Sequence, residues 1–151
     1  MNGGGPEGAA PRVARTASWT RAVAAGAAVL TVVAGLGVRA FADGDIAKYA
    51  GDALYTVLIC FLAAVAAPRA RPVVKAGAAL LFSWSVELLQ LTGLPAELSR
   101  HNAVARLVLG STFNAPDLFW YAVGAGFAWA VLAPLTSAAS PARAPRTSAS
   151  R

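Results

Sequence analysis

Four long apolar runs limit what this chain can become. Ala22–Val38, Tyr49–Ala67, Val73–Leu91 and Leu118–Leu135 are each 17 to 19 residues long. A helix that crosses the hydrocarbon core of a bilayer needs roughly 20 predominantly apolar residues. The runs are apolar on all sides rather than along one stripe, as expected where lipid is the solvent. No β-barrel alternation is present. In lipid every backbone N–H and C=O must be paired within the chain, so such runs predict helices. Composition agrees: 57% of the residues are hydrophobic and 13% are charged, against about 25% charged in an average soluble domain. This excludes a soluble enzyme, a disordered chain and a disulfide scaffold. The expected fold is all-α, an integral membrane four-helix bundle spanning 19–135, with disordered ends over 1–18 and 136–151.

Charge asymmetry gives an expected orientation. Arg12, Arg15, Arg21, Arg69, Arg71, Lys75, Arg143, Arg146 and Arg151 fall on one side of the spans, and Arg39, Lys48, Arg100 and Arg106 on the other. Cations concentrate in cytoplasmic segments of membrane proteins. Both termini are therefore expected in the cytoplasm, with two extracytoplasmic loops, in a multi-pass membrane protein. Ala40-Phe41-Ala42 resembles a signal-peptidase site, but the preceding run is longer than the roughly 7–15 residues of a signal peptide, so an uncleaved first span is expected.

The remaining bulk features exclude more than they assign. The net charge of +6 is distributed between apolar runs, without a nucleic-acid-binding motif, so no nucleic-acid partner is expected. Cys60 stands alone within an apolar run and reads as a buried, inert thiol. His101 has no second His or Cys near it, so no metal is expected. No cofactor motif is present.

Ionisable residues inside a span are costly and mark functional candidates. Ser83, Glu87 and Gln90 follow an i, i+4, i+7 pattern on the third run; Lys48, Asp52, Tyr55 and Thr56 do so at the start of the second; Asp117, Tyr121 and Gly124 do so on the fourth. All three stripes fall at the extracytoplasmic ends, where Arg39 also ends the first run. They are expected to converge on one polar pocket, with Lys48 and Asp52 also forming an i,i+4 pair. Ala122 and Gly126 form a small-xxx-small pair suited to helix contact. Thr92–Pro116 is long for a loop of a compact bundle, and long loops carry function or disorder. Within it Ala103–Leu109 reads as a short interfacial helix, and Asp117 either caps the last span or joins the pocket.

The ordered set Lys48 to Tyr55, Glu87 to Leu91, Arg106 to Phe113, Asp117-Leu118 and Tyr121 to Gly124 resembles the bacterial membrane family called domain of unknown function 2809. The resemblance covers roughly Arg39 to Phe127. That family is similar to VanZ-like proteins, whose pattern is Glu-x-x-Gln in one helix, an Arg in the next loop and Asp-x-x-x-Asn-x-x-Gly opening the last helix. Glu87, Gln90, Arg100 or Arg106, Asp117 and Gly124 match it; Tyr121 replaces the Asn. The VanZ-like resemblance implies an association with low-level glycopeptide resistance but names no reaction.

Three functional readings follow. In the first, a binding module grips an envelope lipid or glycan headgroup, or a similar anionic ligand, through Arg39, Arg100 and Arg106. Lys48, Asp52, Glu87, Gln90, Asp117 and Tyr121 complete the pocket. In the second, a membrane-surface enzyme uses Glu87 as general base with Asp117 as its partner. In the third, the chain is a structural or regulatory subunit, or a homo-oligomer.

Overall fold

A computed structural model describes residues 9–110 and 112–137. They form six helices: α1 (Ala9–Phe41), α2 (Gly44–Ala66), α3 (Pro72–Gln90), α4 (Leu94–His101), α5 (Ala103–Leu109) and α6 (Ala115–Ser137). Four stretches are long and apolar enough to cross a membrane: Ala17–Phe41, Gly44–Ala66, Pro72–Gln90 and Ala115–Leu135. The protein is thus an all-helical bundle of four membrane-capable helices.

Two expectations shift at the chain ends. The helix begins at Ala9, within the stretch expected to be disordered. Ala9-Ala10-Pro11-Arg12-Val13-Ala14-Arg15 is mostly good helix formers, and proline is tolerated in a first turn. Extending a helix already nucleated by the span costs little. The remaining expectations of disorder, over 1–8 and 138–151, lie outside the described residues.

The helices also run past the apolar runs into the loops. Only Ala42 and Asp43 separate α1 from α2. The stretch Thr92–Pro116 is not an open loop. It folds into α4 and α5, the second spanning the Ala103–Leu109 read from sequence. Asn102 joins them, and its side-chain oxygen accepts from the backbone N–H groups of Val104 and Ala105, capping α5.

In the bundle, α1 lies on α2, α2 contacts α6, and α3 contacts both α2 and α6. The core is built from small residues: Ala24, Ala28, Ala64, Ala76, Ala79 and Ala128, with Val57, Cys60, Phe61 and Leu132. Large side chains such as Leu30, Leu36, Leu81, Phe119 and Phe127 point outward. This inversion suits lipid, where close backbone approach rather than hydrophobic expulsion drives association. The Cys60 thiol is free and buried.

Gly124 makes the tightest approach, because a Cβ there would collide with the Ala53 backbone of α2. A Cβ on Gly126 would meet nothing within 4 Å. The close contact therefore falls at Gly124 rather than at the Ala122/Gly126 pair. At the end opposite α4 and α5, the Arg21 guanidinium donates to the Val65 carbonyl (3.2 Å). There Lys75, one of the nine cations on that side of the spans, is 2% exposed. Its ammonium donates to the Pro68 carbonyl (3.1 Å), which ties the α2–α3 turn to α3.

Gly124→Ala is expected to lower stability by about 1–3 kcal/mol through overpacking against α2, whereas Gly126→Ala stays within about 0.5 kcal/mol. Thermal unfolding of both variants in one detergent checks this, and equal midpoints would refute the assignment of the contact.

Candidate functional site

At the end of the bundle where α1 ends and α2 begins, the helices enclose an open cavity of about 440 Å3. Arg39 reaches it from α1, and Lys48, Asp52 and Tyr55 from α2. Glu87 and Gln90 come from α3, Asp117 and Tyr121 from α6, and Leu107–Gly110 form a wall from α5 and the residue after it. The contributions of α2, α3 and α6 follow the i, i+3 or i, i+4 spacing that puts side chains on one face.

Glu87 is the buried centre of this end, at 1% exposure. Its Oε1 accepts from the Asn114 backbone N–H (2.6 Å) and its Oε2 from the Tyr121 hydroxyl (2.9 Å). Among the described residues no cation pairs with it; two neutral donors, one just before α6 and one within it, hold it. Asp117, 4% exposed, accepts from the Lys48 ammonium and from the Asn114 side-chain amide. Lys48 also lies 3.6 Å from Asp52, the i,i+4 pair read from sequence. One lysine thus bridges two acids on different helices.

Further hydrogen bonds fix the walls. The Tyr55 hydroxyl donates to the Val108 carbonyl (2.9 Å), and the Gln90 amide to the Leu109 carbonyl (2.7 Å). The Ser99 hydroxyl donates to the Gly110 carbonyl (2.8 Å). Gly110 has φ +64°, a backbone conformation that favours glycine, and a Cβ there would lie 2.6 Å from the Gln90 amide nitrogen, which would have to shift. Below the cavity, Thr56 and Ser83 share a buried hydrogen bond of 2.9 Å between α2 and α3. Tyr49 stacks on Trp120 at 5.5 Å, and the Trp84 indole donates to the Leu118 carbonyl (3.0 Å).

The structure brings seven of the nine sequence candidates to the cavity: Arg39, Lys48, Asp52, Glu87, Gln90, Asp117 and Tyr121. Arg100 and Arg106 do not line it. Arg100 is exposed on α4 and pairs with Glu97 at 3.0 Å. Arg106 is exposed on α5, whose next residues, Leu107 to Leu109, form the cavity wall. Asp117 joins the cavity rather than preceding its helix. It sits in the first turn of α6, where a negative charge is favoured by the helix dipole.

Asn114 was missed by the sequence reading. It immediately precedes α6 and links Glu87 to Asp117 through its backbone and side chain. An Asn two residues before Pro116 is a helix-start signal that would have pointed to it. Among the described residues no group of three or more His, Cys, Asp or Glu is disposed to hold a metal ion.

Fold and site together define a small four-helix membrane protein with a polar cavity at one end of its bundle. Residues 41–125, more than half of the chain, match the family described as "Protein of unknown function (DUF2809)", and the chain belongs to that family. The match takes in every cavity candidate except Arg39, which lies two residues before it. No curated protein and no solved structure matches the chain significantly.

Glu87→Leu would leave the Asn114 N–H and the Tyr121 hydroxyl unpaired, at about 1–3 kcal/mol each. Glu87→Gln retains an acceptor oxygen and is expected to lose clearly less. Unfolding midpoints of the two variants check the order; a leucine variant as stable as the glutamine variant would show that Glu87 does not hold α6.

Proposed function

We propose that the protein is a binding module whose cavity takes a polar lipid headgroup or similar anionic group on the extracytoplasmic side of a bacterial plasma membrane. The orientation rests on the nine-to-four distribution of Lys and Arg between the two ends. The single observation that carries the ligand reading is Arg39. It is on the cavity wall, and among the described residues it makes no ion pair, whereas Lys48 is engaged by two acids. A guanidinium in that position is suited to bidentate contact with phosphate or carboxylate. A volume of about 440 Å3 falls within the roughly 300–1,000 Å3 of ligand pockets.

The same geometry weighs against Glu87 as a general base. Both of its oxygens already accept hydrogen bonds from groups that fix the entry of α6. Arg100 and Arg106 are exposed on α4 and α5 and do not line the cavity. Arg39 carries that role.

Hydrogen bonds to charged groups contribute about 1.5–3 kcal/mol, so Arg39→Gln is expected to reduce co-purified anionic lipid about tenfold or more. Mass spectrometry of lipids retained in mild detergent measures this. An unchanged lipid profile in the variant would remove the proposal.

A further inference from the structure

A second open space adjoins the polar cavity. It is a cleft of about 370 Å3 between the last turns of α1 and the first turns of α2, lined by Gly35, Arg39, Ala47, Lys48 and Gly51. Arg39, Ala47, Lys48 and Gly51 also line the polar cavity, so the two spaces share a wall. Gly35 lies one helical turn deeper than Arg39, roughly 6 Å further into the span. Its neighbours Val32, Val33 and Leu36 are exposed, as on a lipid-facing surface.

The glycines of this cleft are not required by helix packing. A Cβ on Gly35 or Gly51 would meet nothing within 4 Å, as at Gly26, Gly37, Gly77 and Gly126 and in contrast to Gly124. Alanine in a helix interior is favoured over glycine by about 1 kcal/mol. The two positions therefore forgo helix propensity while leaving a slot open. The slot begins at Arg39, which makes no ion pair among the described residues, and reaches Gly35 one turn deeper in the span.

We infer that the ligand is a membrane amphiphile, an anionic lipid whose phosphate meets Arg39 and whose hydrocarbon chain occupies the α1–α2 cleft. This rests on the headgroup reading of the cavity and adds the source of the ligand, a lipid of the bilayer rather than a water-soluble phosphate. Charge complementarity at Arg39 selects the anionic head. Continuity of the cleft with the lipid-facing surface selects the chain.

The test uses the full chain in detergent, titrated with dioleoyl phosphatidylglycerol and separately with glycerol 3-phosphate, with binding followed by native mass spectrometry. Gly35→Leu and the smaller Gly35→Val fill the slot at the one position that lines it and not the polar cavity; Gly37→Leu, on the same helix but not lining it, is the control. The expected result is at least a tenfold weaker lipid Kd for both slot variants and none for the control, with glycerol 3-phosphate bound far more weakly than the lipid and unaffected by the slot variants. If one slot variant does not fold, the other decides. Wild-type lipid binding by a folded slot variant, with binding lost in Arg39→Gln, would overturn the chain site and leave the headgroup reading standing. Equal loss of both ligands in the slot variants would also overturn it, since the cleft would then belong to the headgroup pocket. Undiminished lipid binding by Arg39→Gln would remove both readings.

Discussion

The acceptance of two hydrogen bonds by Glu87 organises the cavity end of this bundle. A carboxylate at 1% exposure is tolerable in a membrane-spanning helix only if its lone pairs are used. Here they are used by the backbone N–H of Asn114 and the hydroxyl of Tyr121, which lie at the start of α6 and almost two turns into it. This draws the start of α6 against the end of α3. Asn114 then presents its side chain to Asp117, and Asp117 engages Lys48 of α2. A chain of polar contacts thus passes from α3 through α6 to α2, and the cavity is the space these contacts frame.

The rest of the bundle depends on small side chains. With little hydrophobic driving force between helices in lipid, close approach and internal hydrogen bonds must hold them. Gly124 against Ala53, the alanine-rich core and the Thr56–Ser83 pair are the particular forms that this takes. Gly124 stands apart among the described helical glycines, since a Cβ on the others, Gly35 and Gly51 included, would meet open space rather than contact. That difference separates the glycines that hold the fold from those that shape its surface.

The α4–α5 hairpin closes one side of the cavity through backbone carbonyls. Those of Val108, Leu109 and Gly110 accept from Tyr55, Gln90 and Ser99. This wall is therefore set by backbone position, and the arginines that precede it in the chain, Arg100 and Arg106, are left on the exposed surface.

Much of this was legible in the sequence because lipid imposes simple rules. Apolar length specified four helices, and an i, i+4 spacing of polar residues put Lys48, Asp52, Glu87, Gln90, Asp117 and Tyr121 on faces that converge at one end. Pairing was another matter. Sequence spacing gives a residue's face but not which face it meets, so the role of Asn114, the partners of Glu87 and the exclusion of Arg100 and Arg106 appeared only once α3, α5 and α6 were set beside one another. The same holds for glycine. The letter marks a possible close approach, and only the neighbouring helix distinguishes Gly124, pressed on Ala53, from Gly35 and Gly51, which border open space. The sequence by itself determined the solvent, the number of spans and the end where charge collects, because each follows from local transfer energies. Tertiary structure decided which charges are paired and which, like Arg39, remain available, because that depends on distances between residues far apart in the chain.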